Sequence, residues 1–297
     1  MKQFASILSF AVVVSIAGFV EAADTTALEK IGAKLKMQGG VITDLHADCK
    51  GWKTAEFQLV GKQTSLKSIS LSGKTITAET LKLLAGLGNL ESILFNNAQV
   101  SDEGFKHFQA FPKLKRLSLF HHARDLESFD GSGFVHLKPL TELKQLTHAG
   151  AKTGNTAMKA ISELTQLESY SQWHNLETAA GMKYLVKLKN LKSLRLGQRL
   201  HNWKPPVKPA SFDDATFVLI AKLPALESLE IFEARLSYSA LVELKKLPNL
   251  KRLKVRLVAT PAADIARLKM VLPNVKIEWE PLSAEEDQST LVKKLKI

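Results

Sequence analysis

One cysteine, Cys49, stands in 297 residues. With no second cysteine there is no internal disulfide, so a fold of this length must be held by its apolar core. Aromatic side chains make up 7% of the chain, with three Tyr and four Trp, so any ring on a solvent-facing position carries information. Catalytic signatures are missing too. There is no HExxH, no nucleophile elbow and no P-loop, and Gly86-Leu87-Gly88 is a helix exit rather than a phosphate cradle. Pairs of carboxylates occur, as at Asp213-Asp214 and Glu285-Glu286, but the first starts a helix and the second lies in the tail. These absences predict a protein that is not an enzyme and carries no cofactor.

Long apolar runs are absent except for one, Phe4 to Val20. Lys2 precedes it, and Val20-Glu21-Ala22 closes it with small residues at the −3 and −1 positions of a cleavage site. Residues 1–22 therefore read as a signal peptide cut after Ala22, which predicts a secreted or periplasmic protein of the cell envelope with no stable membrane span after cleavage. Retention as an anchor is the alternative, because 17 mostly apolar residues approach a short span. Cys49 lies too far from the cut to be a lipidated N-terminus.

The chain does have a repeat. The pattern L-x-x-L-x-L starts at Ile42, Leu66, Leu90, Leu114, Leu143, Leu167, Leu191, Leu226, Leu250 and about Val275, with spacings of 24, 24, 24, 29, 24, 24, 35, 24 and 25. Its last two members alternate as in a strand. Counting back 9, 6 and 3 residues from each start gives a second apolar set, including Phe105-Phe108-Phe111, Met158-Ile161-Leu164, Met182-Leu185-Leu188 and Leu241-Leu244-Leu247. That spacing predicts a buried helix face rather than a cofactor box. Thirteen residues before each start stands a residue suited to begin a helix: Thr77, Ser101, Asp130, Gly154, Thr178, Asp213 and Ser237, then Thr260 before Pro261. A strand and a helix that cannot bury their faces alone must stack on their neighbours. The fold predicted is an α/β leucine-rich-repeat solenoid, with a parallel sheet on the concave side and α-helices on the convex side.

The stretches LKSISLSGKTITAETLKLLAGLGN from Leu66, LESILFNNAQVSDEGFKHFQAFPK from Leu90 and LPNVKIEW from Leu272 resemble the repeats of secreted leucine-rich-repeat proteins of planctomycete-type bacteria. The resemblance covers Ile42 to Trp279. It implies an extracytoplasmic horseshoe and names no biochemical role. Two departures stand out. An asparagine ladder after the strand would fall at Lys74, Ala98, His122, Ala151, Asn175, Arg199, Ala234 and Val258, and only Asn175 fits. His148 and Gln172 replace the third inward Leu, which predicts a side chain bonded to a nearby carbonyl.

The organisation expected is a signal peptide over 1–22, an N-terminal cap over 23–41 that is helix-like from Thr25 to Met37, about ten repeats over 42–279, and a C-terminal tail or cap over 280–297. The last segment reads either as a short helix or as a frayed tail.

Strand alternation sends three columns of side chains to the concave face. The outermost reads Ser72, Asn96, Phe120, Ala149, Trp173, Gly197, Phe232, Arg256; the middle one holds Arg195, Glu230 and Lys254; the third ends at Arg252. Counted by backbone spacing, Phe120, Trp173 and Phe232 are expected to be spread over about 25 Å, either open to a partner or covered by the chain's own loops.

The two long spacings place extra residues between strand and helix at Phe120–Gly133 and Gly197–Thr216, both on one edge of the sheet. They bring His121, His122, Arg124 and Asp125, then Arg199, His201, Trp203 and Lys204, close to Trp173 and His174. This rim reads as a binding edge or as loops that only cover the sheet, with Trp203 and Phe212 as anchors. His121 and His174 sit two units apart, about 10 Å between backbones, and no carboxylate or cysteine spacing completes a zinc site, so no metal is expected.

The formal charge is +12, and residues 1–22 remove one Lys and one Glu without changing it. The basic residues Arg195, Arg252, Lys254 and Arg256 gather on the last concave strands. The expected ligand-binding residues are Phe120, His121, Trp173, His174, Arg195, His201, Trp203, Phe232, Arg252, Lys254 and Arg256. The expected partner is a protein or an acidic polysaccharide rather than nucleic acid. A structural envelope component without a discrete ligand, or an effector or enzyme using the rim, remain as alternatives.

Overall fold

The structure, a computed structural model, describes residues 24–200 and 209–297. The signal-peptide reading, and His201, Trp203 and Lys204 of the second loop, lie outside the described residues.

Each L-x-x-L-x-L segment forms a short strand, and the strands pair in sequence order. The eleven-stranded sheet runs β1 (Lys34–Gln38), β2 (Val41–Asp48), β3 (Ser68–Ser72), β4 (Ser92–Asn96), β5 (Arg116–Phe120), β6 (Gln145–Ala149), β7 (Ser169–Trp173), β8 (Ser193–Leu196), β9 (Ser228–Arg235), β10 (Arg252–Ala259) and β11 (Lys276–Trp279). From β2 to β11 every pair is parallel and in register, so that Leu45, Ile69, Ile93, Leu117, Leu146, Tyr170, Leu194, Leu229 and Leu253 form one inward row. All nine are buried in one continuous core. The result is an open α/β solenoid with the predicted register.

The convex side differs in detail from the expected α-helices. Residues 103–110, 132–137, 183–187 and 242–246 are 3₁₀-helical, and the α-helical pieces, such as Asn155–Ile161 and Asp214–Ile220, are two turns or less in most repeats. The apolar spacing tolerates both forms. Apolar residues every third position eclipse on a helix of three residues per turn, so Phe105 and Phe108 both point inward from one 3₁₀ segment. Phe105 then touches Phe108, His122, Phe129 and Phe134, with ring centroids 4.9–5.9 Å away. Thr77, Ser101, Asp213 and Ser237 cap their helices as expected, each accepting a bond from a first-turn amide. Thr260 does not, because Pro261 takes the cap position.

The N-terminal cap corrects the helix expected from Thr25 to Met37. A helix covers 24–30, but Lys34–Gln38 is strand β1, antiparallel to β2 through Gly39-Gly40. Both glycines have positive φ, 59° and 83°, which a two-residue hairpin turn of mirror type demands. Alternating Lys34, Leu35, Lys36 and Met37 is a strand pattern with lysines along the outer edge, which discourages further pairing. At the other end the tail is ordered. Ser283 caps a helix that continues as a π-helical stretch, Asp287–Leu295, with Leu291 and Leu295 buried.

Without an asparagine ladder, the strand exits satisfy their backbone through main-chain bonds. Asn97 N–H donates to Phe120 O, His121 N–H to Ala149 O, Gly150 N–H to Trp173 O and His174 N–H to Gln198 O, at 2.7–2.9 Å. The donor residues hold positive φ, 61°, 51°, 73° and 57°. Asn175 does the ladder's work alone: its side chain accepts from Ala151 N–H at 3.0 Å and donates to His148 O at 3.0 Å and to Glu177 Oε1 at 2.8 Å. At the strand entries a second ladder runs along the surface. Lys67, Glu91, Lys115, Lys144, Glu168, Lys192, Glu227 and Lys251 follow one another on successive strands, with ion pairs of 2.8–2.9 Å at Lys115–Glu91, Lys192–Glu168 and Lys251–Glu227. Each exposed pair contributes little, about 0.2–1 kcal/mol.

His148 and Gln172 are buried, but their partners are not carbonyls. His148 Nε2 meets Thr153 Oγ1 at 3.3 Å, and Gln172 donates weakly to Met182 Sδ at 3.8 Å. The nearby carbonyls are already engaged in the sheet. Burial pushes His148 down to about 3 and His122 down to about 4, so both are neutral. Burial pushes Glu177 up, from 4.5 to about 8. The histidines, depressed in the folded state, contribute stability that is complete above 6.5 and lost as pH falls towards their folded values. Glu177, raised in the folded state, contributes stability present below 4.5 and lost as pH rises through about 8. Glu177→Gln removes that alkaline loss. It should raise the melting temperature by several degrees at pH 8 and by much less at pH 5, in calorimetric scans of both proteins.

Candidate functional site

Much of the first half of the concave face is small and hydroxylated: Ser68, Ser70, Ser72, Ser92, Ser118, Thr147, Ser169 and Ser171 lie on the five strands β3 to β7. Against that background the outermost column alternates large and small, with Phe120 on β5, Ala149 on β6, Trp173 on β7, Gly197 just past β8 and Phe232 on β9. The expected dispersal over about 25 Å is wrong. Four strand steps span about 19 Å of backbone, and the rings lean across the small residues to meet. Phe120 and Trp173 have centroids 5.9 Å apart, as do Trp173 and Phe232.

Gly197 permits the second contact. A Cβ there would lie 2.4 Å from Phe232 and 2.7 Å from Trp173 Cβ. The neighbouring column supplies Arg195, whose guanidinium carbon is 4.6 Å from the Trp173 ring centre and 5.0 Å from that of Phe232. Arg195 Nε also lies 3.3 Å from Glu230, and Arg256 Nε lies 3.7 Å from the other oxygen of the same carboxylate. Phe120, Trp173, Arg195, Phe232 and Arg256 thus form one continuous strip, with Glu230 as its electrostatic hinge. Phe232 is buried in it, while Phe120, Trp173 and Arg195 remain half-exposed.

Arg252 and Lys254 stand apart from the rings. They occupy the inner columns of β10, opposite Ser228 and Glu230 on one side and Lys276 and Glu278 on the other. The carboxylates of Glu230 and Glu278 break the purely basic surface expected there.

The two histidines do not converge. His121, exposed, contacts Asn96 Oδ1 through Nδ1 at 2.9 Å, and its ring lies over Gly150. Partial burial, then Arg124 and His174, hold its pKa below the ordinary value. His174 Nε2 instead reaches across the β8 position to Glu233, at 2.7 and 3.0 Å. Glu233 is buried and has φ 60°, the same exit conformation as His174. Sequence reasoning passed over Glu233; its only signal was its place in the exit column. Among the described residues no group of three His, Cys, Asp or Glu comes together to hold a metal.

The described parts of the two rim loops pack against the sheet edge. In the first, His122, Ala123 and Phe129 are buried, His122 Nε2 contacts Val100 O at 2.8 Å, and Arg124 Nε donates to Gly150 O. In the second, Gln198 bonds both Ser211 and Phe212 O, and Phe212 is a buried anchor as expected. The C-terminal segment joins this edge. Arg199 donates to Leu295 O at 3.0 Å, Arg235 to Asp287 at 2.8 Å, and Lys294 Nζ lies 3.9 Å from Glu233.

No family model and no curated protein matches this chain. Among solved structures it is similar to an internalin C2 from Listeria monocytogenes, at 17% identity over 88% of this chain and 94% of that one, with a TM-score of 0.45. It is similar also to an internalin F from the same species, at 14% identity over 93% of each chain, with a TM-score of 0.42. Both are leucine-rich-repeat proteins. The strip described above rests on this chain's own register. If Gly197 is what lets the rings close, Gly197→Val should force Trp173 and Phe232 apart and cost about 1–3 kcal/mol by overpacking. Urea denaturation and the near-ultraviolet dichroism of the aromatic band measure both effects, and a stable variant with an unchanged spectrum contradicts the assignment.

Proposed function

We propose that this protein is a non-enzymatic binding scaffold acting outside the cytoplasm, and that it recognises an extended segment of another protein on its concave face. One observation carries the reading: the single row of touching rings, Phe120, Trp173 and Phe232, with Arg195 against two of them, beside a stretch of the face rich in Ser and Thr. Half-exposed Trp and Arg held rigid by neighbours are the side chains that anchor protein interfaces, because they desolvate much surface at little entropic cost. The length of the strip, about 19 Å, fits a chain laid across several strands rather than a small molecule. The extracytoplasmic placement is supported by the apolar run Phe4–Val20 and the Val20-Glu21-Ala22 site after it.

An anionic glycan is the second reading. It is favoured by Arg252, Lys254 and Arg256 on β10, and weakened by Glu230 and Glu278 between them. A purely structural role in the envelope predicts no ligand for either surface.

Panning a phage library of random 12-residue peptides against the wild-type protein should yield peptides whose affinity drops about tenfold or more in Trp173→Ala and in Arg195→Ala. Reversing the charge at Arg252, Lys254 and Arg256 together should leave those peptides bound. Equal binding by the Trp173 and Arg195 variants would sink the protein-binding reading. Retention on a sulfated polysaccharide column that depends only on the β10 charges would favour the glycan.

A further inference from the structure

The helix Ala262–Val271 begins without a side-chain cap. Pro261 occupies the cap position with an extended backbone, and the side chain that was expected to serve, Thr260, bonds no amide of the first turn. Thr260 is only 9% exposed, and its hydroxyl has no hydrogen-bond partner among the described residues. The same holds for Trp279 Nε1 at the end of β11. Two buried polar groups left unmet are each destabilising unless a partner supplies the missing bond. They are adjacent in space, for both line one cleft of about 620 Å³ between the ends of β9, β10 and β11 and the C-terminal segment.

The chemistry of this cleft is one-sided. An indole N–H only donates. In this ten-residue helix the Asp264 and Ile265 amides donate to Pro261 O, which leaves those of Ala262 and Ala263 ahead of the intrahelical bonds, and the helix dipole makes that end electropositive. Arg235 lines the same cleft, with one of its donors on Asp287 Oδ1 and the remaining guanidinium N–H groups to spare. The one carboxylate of the wall is therefore already neutralised, and Asp264 in the helix's first turn pairs with Arg267. Donors of four kinds border a space whose other lining includes Ser283, itself engaged in capping its own helix, and the apolar Ala259, Pro261, Pro281 and Leu282. The volume falls in the range of about 300–1,000 Å³ typical of small-molecule sites.

We infer that this cleft is a binding site for a small oxyanion carried on an apolar stem, such as an alkyl carboxylate or an alkyl phosphate. The oxyanion accepts from Trp279 Nε1, the Thr260 hydroxyl and the open amides of the helix, while the stem lies against Pro261, Pro281 and Leu282. The site is separate from the concave strip, so it stands whether or not the strip binds a protein.

The chain has four tryptophans, so an ¹⁵N-labelled sample gives a small set of indole N–H peaks, and Trp279→Phe identifies the one at issue. Titration with hexanoate or hexyl phosphate should shift the Trp279 peak saturably. Inorganic phosphate and hexanol, each lacking half of the ligand, should bind about tenfold more weakly or not at all. The stronger of the two hexyl anions tells which headgroup the site prefers. Thr260→Val, checked for folding by its melting temperature, should weaken binding about tenfold. If that variant unfolds, Trp279→Phe assayed by calorimetry tests the same donor set. No saturable shift with either hexyl anion, an equal response to hexanol, or unchanged affinity in the folded variants overturns the inference.

Discussion

At every strand exit of a parallel solenoid the chain must leave the sheet without abandoning its hydrogen bonds, and here the backbone meets that demand itself. At Asn97, His121, Gly150 and His174 the exit residue turns into the left-handed region and donates its N–H to a carbonyl at or just past the end of the next strand, as His121 does to Ala149 and His174 to Gln198. The conformation is costly for a residue with a side chain, yet Asn97, His121, His174, Glu233 and Leu257 all adopt it. It aligns those side chains in one column beyond the concave face. The His174–Glu233 pair follows from this arrangement, because residues with the same exit geometry two strands apart face each other across Gln198. The rim is thus a product of backbone bonding as much as of the inserted loops.

The concave strip depends on a second constraint, the alternation of size along one column. Rings on adjacent parallel strands would compete for the same space about 4.8 Å apart. Rings on alternate strands, with Ala149 and Gly197 between them, can tilt and touch. The guanidinium of Arg195 then fills the space beside two rings, and Glu230 fixes it from the neighbouring strand. The strip is held in place by its own neighbours on adjacent strands.

Much of this was legible in the chain. The 24-residue spacing places every strand from Ile42 onward, and the apolar triplets place the convex segments, but the same step of three occurs in α-helical Asn155–Ile161 and in 3₁₀ Glu103–Ala110 and does not separate the two. Alternation along the strands gives the aromatic column, but backbone separation alone overstates the distance between its rings, because it ignores how far a Trp or Phe side chain reaches. Lys34 to Met37 follows a helix closely enough to read as its continuation, yet Gly39-Gly40 marks a hairpin. The docking of the tail was not readable, since it depends on Arg199 finding a carbonyl 96 residues away. Glu233 was invisible for a similar reason: its partner is set by the exit geometry, not by spacing along the chain. Asn175 alone matched a ladder position, and alone it performs the ladder's task.

The charged ladder at the strand entries bears on how the array can change length. Signs alternate from Lys67 through Glu91 to Lys115, and again from Lys144 through Glu168, Lys192 and Glu227 to Lys251. Losing one interior unit from either run would set like charges face to face, whereas losing two neighbours would restore the alternation. The array therefore has a parity: it grows or shrinks without electrostatic penalty only in twos. The one place where parity fails is between Lys115 and Lys144, where the main chains are bonded and Glu142 offers Lys115 a second carboxylate. The first long loop sits at that same step, so the sequence there has the character of a seam between two arrays, one of which ends where the other begins.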